Sequence, residues 1–161
     1  MRPERAAALT QGLVAGLIGY FVFVIYFAGA NTLAGQSPFH TANALGAALF
    51  PFEGDGPSAG AAAAIAYNGI HLMASLAMGL IASFLVLEVD LHPNLWYFVM
   101  FLFIAGLLYA VGLGGIVANE IAGAVTWLQV VIVNVLAATL SGWYLWRSHP
   151  SLKDRVRRVA D

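Results

Sequence analysis

The sequence predicts an all-α integral membrane protein: a four-transmembrane-helix bundle with a short interfacial helix in its first external loop. Three observations lead there. Residues are 61% hydrophobic and only 9% charged, against roughly 25% charged in an ordinary soluble domain. From Ala6 to Trp146 there is no Lys or Arg. Four apolar runs are each long enough to cross a bilayer, which takes about 20 residues at 1.5 Å rise per residue.

These runs define one membrane domain, 1–161, with spans at about 6–30, 59–87, 95–117 and 121–146. The second is longer than a bilayer needs, so tilt or protrusion is expected. None alternates polar with apolar residues, which excludes a β-barrel. Arg2 and Arg5 before the first run resemble a signal sequence. The run is too long for a signal core, so it reads as a retained first span. Cysteine is absent, which removes disulfides, thiolate metal sites and cysteine nucleophiles.

Orientation follows from the cations. Two Arg residues precede span one, and Arg147, Lys153, Arg155, Arg157 and Arg158 follow span four in a basic tail, 147–161. Positive flanks stay cytoplasmic, so both termini are expected there, in the plasma membrane of a bacterium. The external connections then hold Glu53, Asp55 and Glu120. Trp96 and Tyr97 open span three, and Trp143, Tyr144 and Trp146 close span four. Both groups fall at the cytoplasmic headgroup level, where amphipathic rings are favoured. Trp127 falls toward the opposite interface.

The connections set helix neighbours. Ala118-Asn119-Glu120 is so short that spans three and four should form a tight antiparallel hairpin, and Pro93 suits a first helical turn. The external loop 31–58 is the one long connection. In it Ser37-Pro38 reads as a helix start. Phe39, Ala42, Leu45, Leu49 and Phe50 recur at near-helical spacing up to Pro51, which predicts a helix lying at the membrane surface.

Little polar chemistry lies inside the hydrocarbon. Span two carries Tyr67, Asn68, His71 and Ser75, the last three on one helical face. Span four carries Thr126, Gln129, Asn134 and Ser141. A polar group at that depth must find a partner within the protein. His71 and Asn134 fall at similar depth, so the structural reading has them hydrogen-bond across a helix gap. The sharper reading makes His71 an axial ligand of a haem or chlorophyll-type pigment, or part of a quinone site, with Asn68 or Asn134 orienting its other ring nitrogen. Two-histidine haem ligation within one chain is unfavourable, because His40, His92 and His149 sit in connections or at interfaces. No cofactor is therefore required by the sequence.

Enzyme chemistry is not expected. No Ser/His/Asp set shares one depth, and neither H-E-x-x-H nor G-x-x-x-x-G-K-[ST] occurs. His40, Glu53 and Asp55 have no metal-site spacing and read as solvated loop residues. Gly12 and Gly16 form a G-x-x-x-G, with Gly19 on nearly the same face, and such small residues let helices associate in lipid. The expected role is a non-catalytic accessory or structural subunit of a larger membrane complex of respiratory or photosynthetic electron transfer. Its partners would be the lipid bilayer and other membrane subunits or further copies of itself, and not nucleic acid. A His71 ligand-binding protein and a small oligomeric channel or transporter are the alternatives.

Overall fold

In the computed structural model the described residues are 3–50, 57–116 and 125–149, and among them the chain is all-helical. Five α-helices follow in order: α1 Pro3–Leu33, α2 His40–Leu49, α3 Pro57–Leu91, α4 Trp96–Ile116 and α5 Trp127–Ser148. One 3-10 turn, Pro93–Leu95, leads into α4. Stretches within α1, α3 and α5 (Glu4–Leu33, Gly60–Leu91 and Trp127–Ser148) are long and apolar enough to cross a membrane. Within α4 the apolar run Met100–Tyr109 stands beside them.

Helix α1 is the centre of the assembly. It packs along α3 on one side and α5 on the other, while α3 and α5 touch only briefly. Helix α4 leans on α5 and more lightly on α3. The α1–α3 crossing is antiparallel and its register is set by small residues. Ser83 donates to Ala8 O at 2.8 Å. One turn up α1, Gly12 lies on the backbone of Gly79 and Leu80. Another turn up, Gly16 lies on Ser75 and Leu76. A further turn brings Tyr20 to Asn68. A Cβ on Gly16 would stand 2.6 Å from Ser75 O and 2.7 Å from Leu76 Cα. Close backbone approach of this kind yields dispersion contact over many atoms, the main attraction available between helices in lipid.

The outward faces are apolar. Leu13, Leu17, Phe21 and Ile25 form an exposed stripe of α1 at i, i+4 spacing. Only 11% of the most apolar stretch of α1, and the same share in α3, is buried. Helix α4 exposes five consecutive large apolar residues, Met100, Phe101, Leu102, Phe103 and Ile104. Two exposed hydroxyls of α1 and α5 are quenched locally: Thr32 donates to Ala28 O and Thr139 to Val135 O, each four residues back.

The helix ends differ in detail from the sequence expectation. Helix α1 runs three residues further at its C-terminal end than the apolar run and closes with Gly35 at φ 72°. Gly35 N–H reaches Thr32 O and Gln36 N–H reaches Asn31 O, the paired bonds of a glycine-terminated helix. Helix α5 starts at Trp127, later than the expected 121. Thr126 is extended and caps it: its side chain accepts from Gln129 N, and Gln129 Oε1 accepts from Thr126 N. Thr126 and Gln129 are therefore the helix-start residues of α5.

Helix α2 also departs from expectation. It begins at His40, after a turn in which Ser37 O accepts from His40 N and Ser37 Oγ from Phe39 N. Its buried residues are Thr41, Leu45 and Gly46. Of the predicted stripe only Leu45 is buried; Phe39 and Leu49 are exposed. The reason is Gly46, which rests directly on the Ala63 backbone of α3 and fixes the face that packs. Buried Asn31 ties the approach down: it accepts from Thr41 Oγ1 at 3.0 Å and donates to Pro38 O at 3.1 Å. Residues 51–56 of the long loop, the link at 118–120 and the tail beyond His149 lie outside the described residues.

Candidate functional site

His71 sits within α3 on the side turned to α1. Three rings surround its imidazole. Phe23 of α1 is nearest, with centroids 4.6 Å apart and planes at 56°. Tyr20 of α1 is at 5.9 Å. Tyr67, one turn earlier on α3, stacks at 5.8 Å with planes only 7° apart. Tyr67 itself packs with Phe27 against a cluster of Leu45, Val125 and Val130. Helix α2 and the start of α5 thus roof one end of the aromatic group.

The polar bonding here differs from the sequence expectation. Asn68 Nδ2 donates to Ala64 O on its own helix at 2.8 Å, and Asn68 Oδ1 accepts from the Tyr20 hydroxyl at 3.3 Å. Asn134 Nδ2 likewise donates to its own helix, to Val130 O at 2.8 Å. Neither amide bonds His71 Nε2, which is buried without a hydrogen-bond partner. The expected His71–Asn134 bond does not form, because α3 and α5 are held apart by α1 and each asparagine has a carbonyl of its own helix in reach. Ser75 shares the His71 face, but its carbonyl lies against Gly16.

The three α1 glycines divide. Gly12 and Gly16 face α3, whereas a Cβ on Gly19 would meet Ser141 Oγ of α5 at 3.5 Å. That serine donates to Ala15 O at 2.9 Å. Gly16 and Gly19 are only three residues apart, so a modest rotation around the helix separates the two seams.

The other histidines lie at helix ends. His92 Nδ1 is 3.4 Å from Glu88 Oε2, both exposed. His149 closes α5: its Nδ1 is 3.0 Å from Leu145 O and its Nε2 is 4.0 Å from Asp90 Oδ2. Arg147 lies over the Trp143 ring at 4.5 Å, so one basic residue of the expected headgroup level is paired with one of its aromatics. His40 is exposed, and Glu53 and Asp55 lie outside the described residues. Among the described residues no three His, Asp or Glu side chains converge on a metal position.

An axial ligand needs an open approach to its nitrogen and room for a macrocycle plane. Here three rings within 5.9 Å of the imidazole occupy that room, so the residues do not fit a tetrapyrrole. Tyr20 and Phe23 were not legible as site residues from the polar inventory of spans two and four. The signal was present in α1 itself: a tyrosine inside an apolar span needs a partner for its hydroxyl. Comparison with protein-family models, with curated proteins and with solved structures finds no match, and the functional reading rests on this geometry.

Proposed function

We propose that the chain spans the plasma membrane four times, with α1, α3, α4 and α5 as the spans and both termini cytoplasmic. We further propose that it serves as a non-catalytic subunit of a larger membrane complex, in the class of respiratory or photosynthetic electron transfer. The observation that carries this reading is how the interior is used. The α1–α3 interface is closed at backbone contact by Gly12, Gly16 and Gly79. Ser83, Ser141 and Tyr20 are committed to bonds between helices. Such an interior is built to hold helices in register and leaves no lumen along that seam for a solute path. The outer faces are apolar and broad, and α4, which carries no charged residue, is seated chiefly on one neighbour. Helix α2, with Phe39 and Leu49 outward, would lie at the external interface.

Gentle detergent extraction of the tagged chain from native membranes tests the subunit reading. Stoichiometric membrane partners are expected to co-purify. A chain that migrates alone, at its own mass plus one micelle, would overturn it. Reporter fusions at Gly56 and after Asp161 test the topology; a C-terminal reporter active only outside the cell refutes it.

A further inference from the structure

We propose that the outward face of α4 docks a second copy of this chain, with Tyr109 of one copy hydrogen-bonding to its counterpart in the other. The proposal rests on the reading of α4 as a membrane span and is independent of the larger complex.

The first argument is an unmet hydroxyl. Tyr109 is 71% exposed. Val111 marks the buried side of α4, and a two-residue step puts Tyr109 about 160° around the helix from it. Thr32 and Thr139 quench their hydroxyls on a carbonyl four residues back. A tyrosine hydroxyl stands at the far end of a rigid ring and cannot turn back in that way. Tyr20 meets the same need with Asn68. Among the described residues Tyr109 has no such partner.

The second argument is depth. Helix α4 has 21 residues, about 31 Å of length, which matches a hydrocarbon core of about 30 Å. Tyr109 stands about 20 Å from the Trp96 end and about 10 Å from the Ile116 end. Helical side chains lean toward the N-terminus. The Tyr109 hydroxyl therefore leans toward the bilayer centre, away from the nearer headgroups. A lone hydroxyl there is costly, and its partner has to come from another helix.

The third argument is shape. Phe98, Leu102, Ala105, Tyr109, Gly112 and Ile116 follow one another at alternating steps of four and three residues. That spacing averages 3.5 residues and lays a single seam along a pair of supercoiled helices. None of the six is buried. Ala105 and Gly112 lie one turn to either side of Tyr109, and a Cβ on Gly112 would meet nothing within 4 Å. These small residues leave hollows beside the tyrosine for the side chains of a facing helix.

The fourth argument selects the occupant. Copies in one membrane share one orientation, so a two-fold pair of α4 helices is parallel and sets each Tyr109 opposite the other at equal depth. A tyrosine hydroxyl both donates and accepts. One of the pair donates, the other accepts, and no other residue type is needed. Helix α4 carries no charge to repel its copy.

The chain has no cysteine, so single-cysteine variants report contacts directly. The full chain is expressed in a foreign host that lacks its native neighbours, and the membranes are oxidised with copper phenanthroline. Ala105→Cys and Gly112→Cys should give disulfide-linked dimers. Ile104→Cys, on the other side of α4, and Met73→Cys of α3, both exposed, should stay monomeric. Förster transfer between chains labelled through Met73→Cys, diluted in phosphatidylcholine vesicles, reads the affinity. Tyr109→Phe should weaken dimerisation about threefold, the factor of one interhelical hydrogen bond. A membrane-impermeant maleimide reads the span separately: labelling of Leu108→Cys in intact vesicles would sink the span reading and the proposal with it. With Leu108→Cys unlabelled, absence of seam dimers, dimers equal at seam and control positions, or equal affinity of wild type and Tyr109→Phe overturns the proposal alone.

Discussion

Adding one methyl group to Gly16 should separate α1 from α3. An alanine Cβ there would lie 2.6 Å from Ser75 O and 2.7 Å from Leu76 Cα, where relaxed non-bonded contacts are about 3.5–4.0 Å. Both neighbours are backbone, so neither can turn aside. The helices must part by roughly 1 Å. One turn-pair away, the Ser83–Ala8 bond of 2.8 Å would then stretch beyond hydrogen-bonding range. Overpacking costs about 1–3 kcal/mol, and a lost interhelical bond in a membrane protein adds about 0.6 kcal/mol. The expected destabilisation of Gly16→Ala is therefore about 2–4 kcal/mol. Gly69→Ala is the matched control, since a Cβ there meets nothing within 4 Å. Reversible unfolding in mixed detergent micelles, followed by circular dichroism, measures both. Gly16→Leu should lose more, with insertion intact. Equal stability of Gly16→Ala and Gly69→Ala would refute the backbone-contact account of this interface.

Ser83→Ala should cost about 0.6 kcal/mol in the same unfolding assay, because its fully buried hydroxyl makes one bond across the α1–α3 seam. Asn31→Ala should loosen α2 with little change in the spans, since Asn31 bonds both Thr41 and Pro38; faster amide exchange confined to about residues 36–49 is the readout, and unchanged exchange argues against the tether. His71→Leu should unfold no more easily than wild type and His71→Gln should gain nothing, because Nε2 has no protein partner to lose; a loss in His71→Leu above about 1 kcal/mol would reveal a bond the structure lacks. Thr126→Val should fray the start of α5 at a cost of about 1 kcal/mol, seen as faster exchange at Leu128 and Gln129.

The helical elements were largely legible from the sequence because hydropathy reports length and period directly. The expected span 6–30 lies within α1 Pro3–Leu33, and 59–87 lies within α3 Pro57–Leu91. The misplaced start of α5 has a local cause. Val125 and Thr126 are compatible with an apolar run, yet the reciprocal bonds of Thr126 and Gln129 make a better helix start than continuation. The T-x-x-Q spacing carries that information, which hydropathy alone does not. Gly35 gave a comparable signal at the end of α1, where a positive φ suits glycine alone.

By itself the sequence determined an all-helical chain with apolar stretches of membrane-crossing length, cations only at its ends, and few polar groups within those stretches. These are properties of single segments, and each follows from composition along one helix. Only the tertiary structure decided which faces meet. Gly12 and Gly16 turn to α3 while Gly19 turns to α5. The α2 stripe read from periodicity gives way to Thr41, Leu45 and Gly46. His71 finds Phe23, Tyr20 and Tyr67 rather than Asn134. On helices apolar all round, the hydrophobic pattern has no polar side to mark which way is out. Facing is then set by close backbone fit at small residues and by the few hydrogen bonds that fit permits.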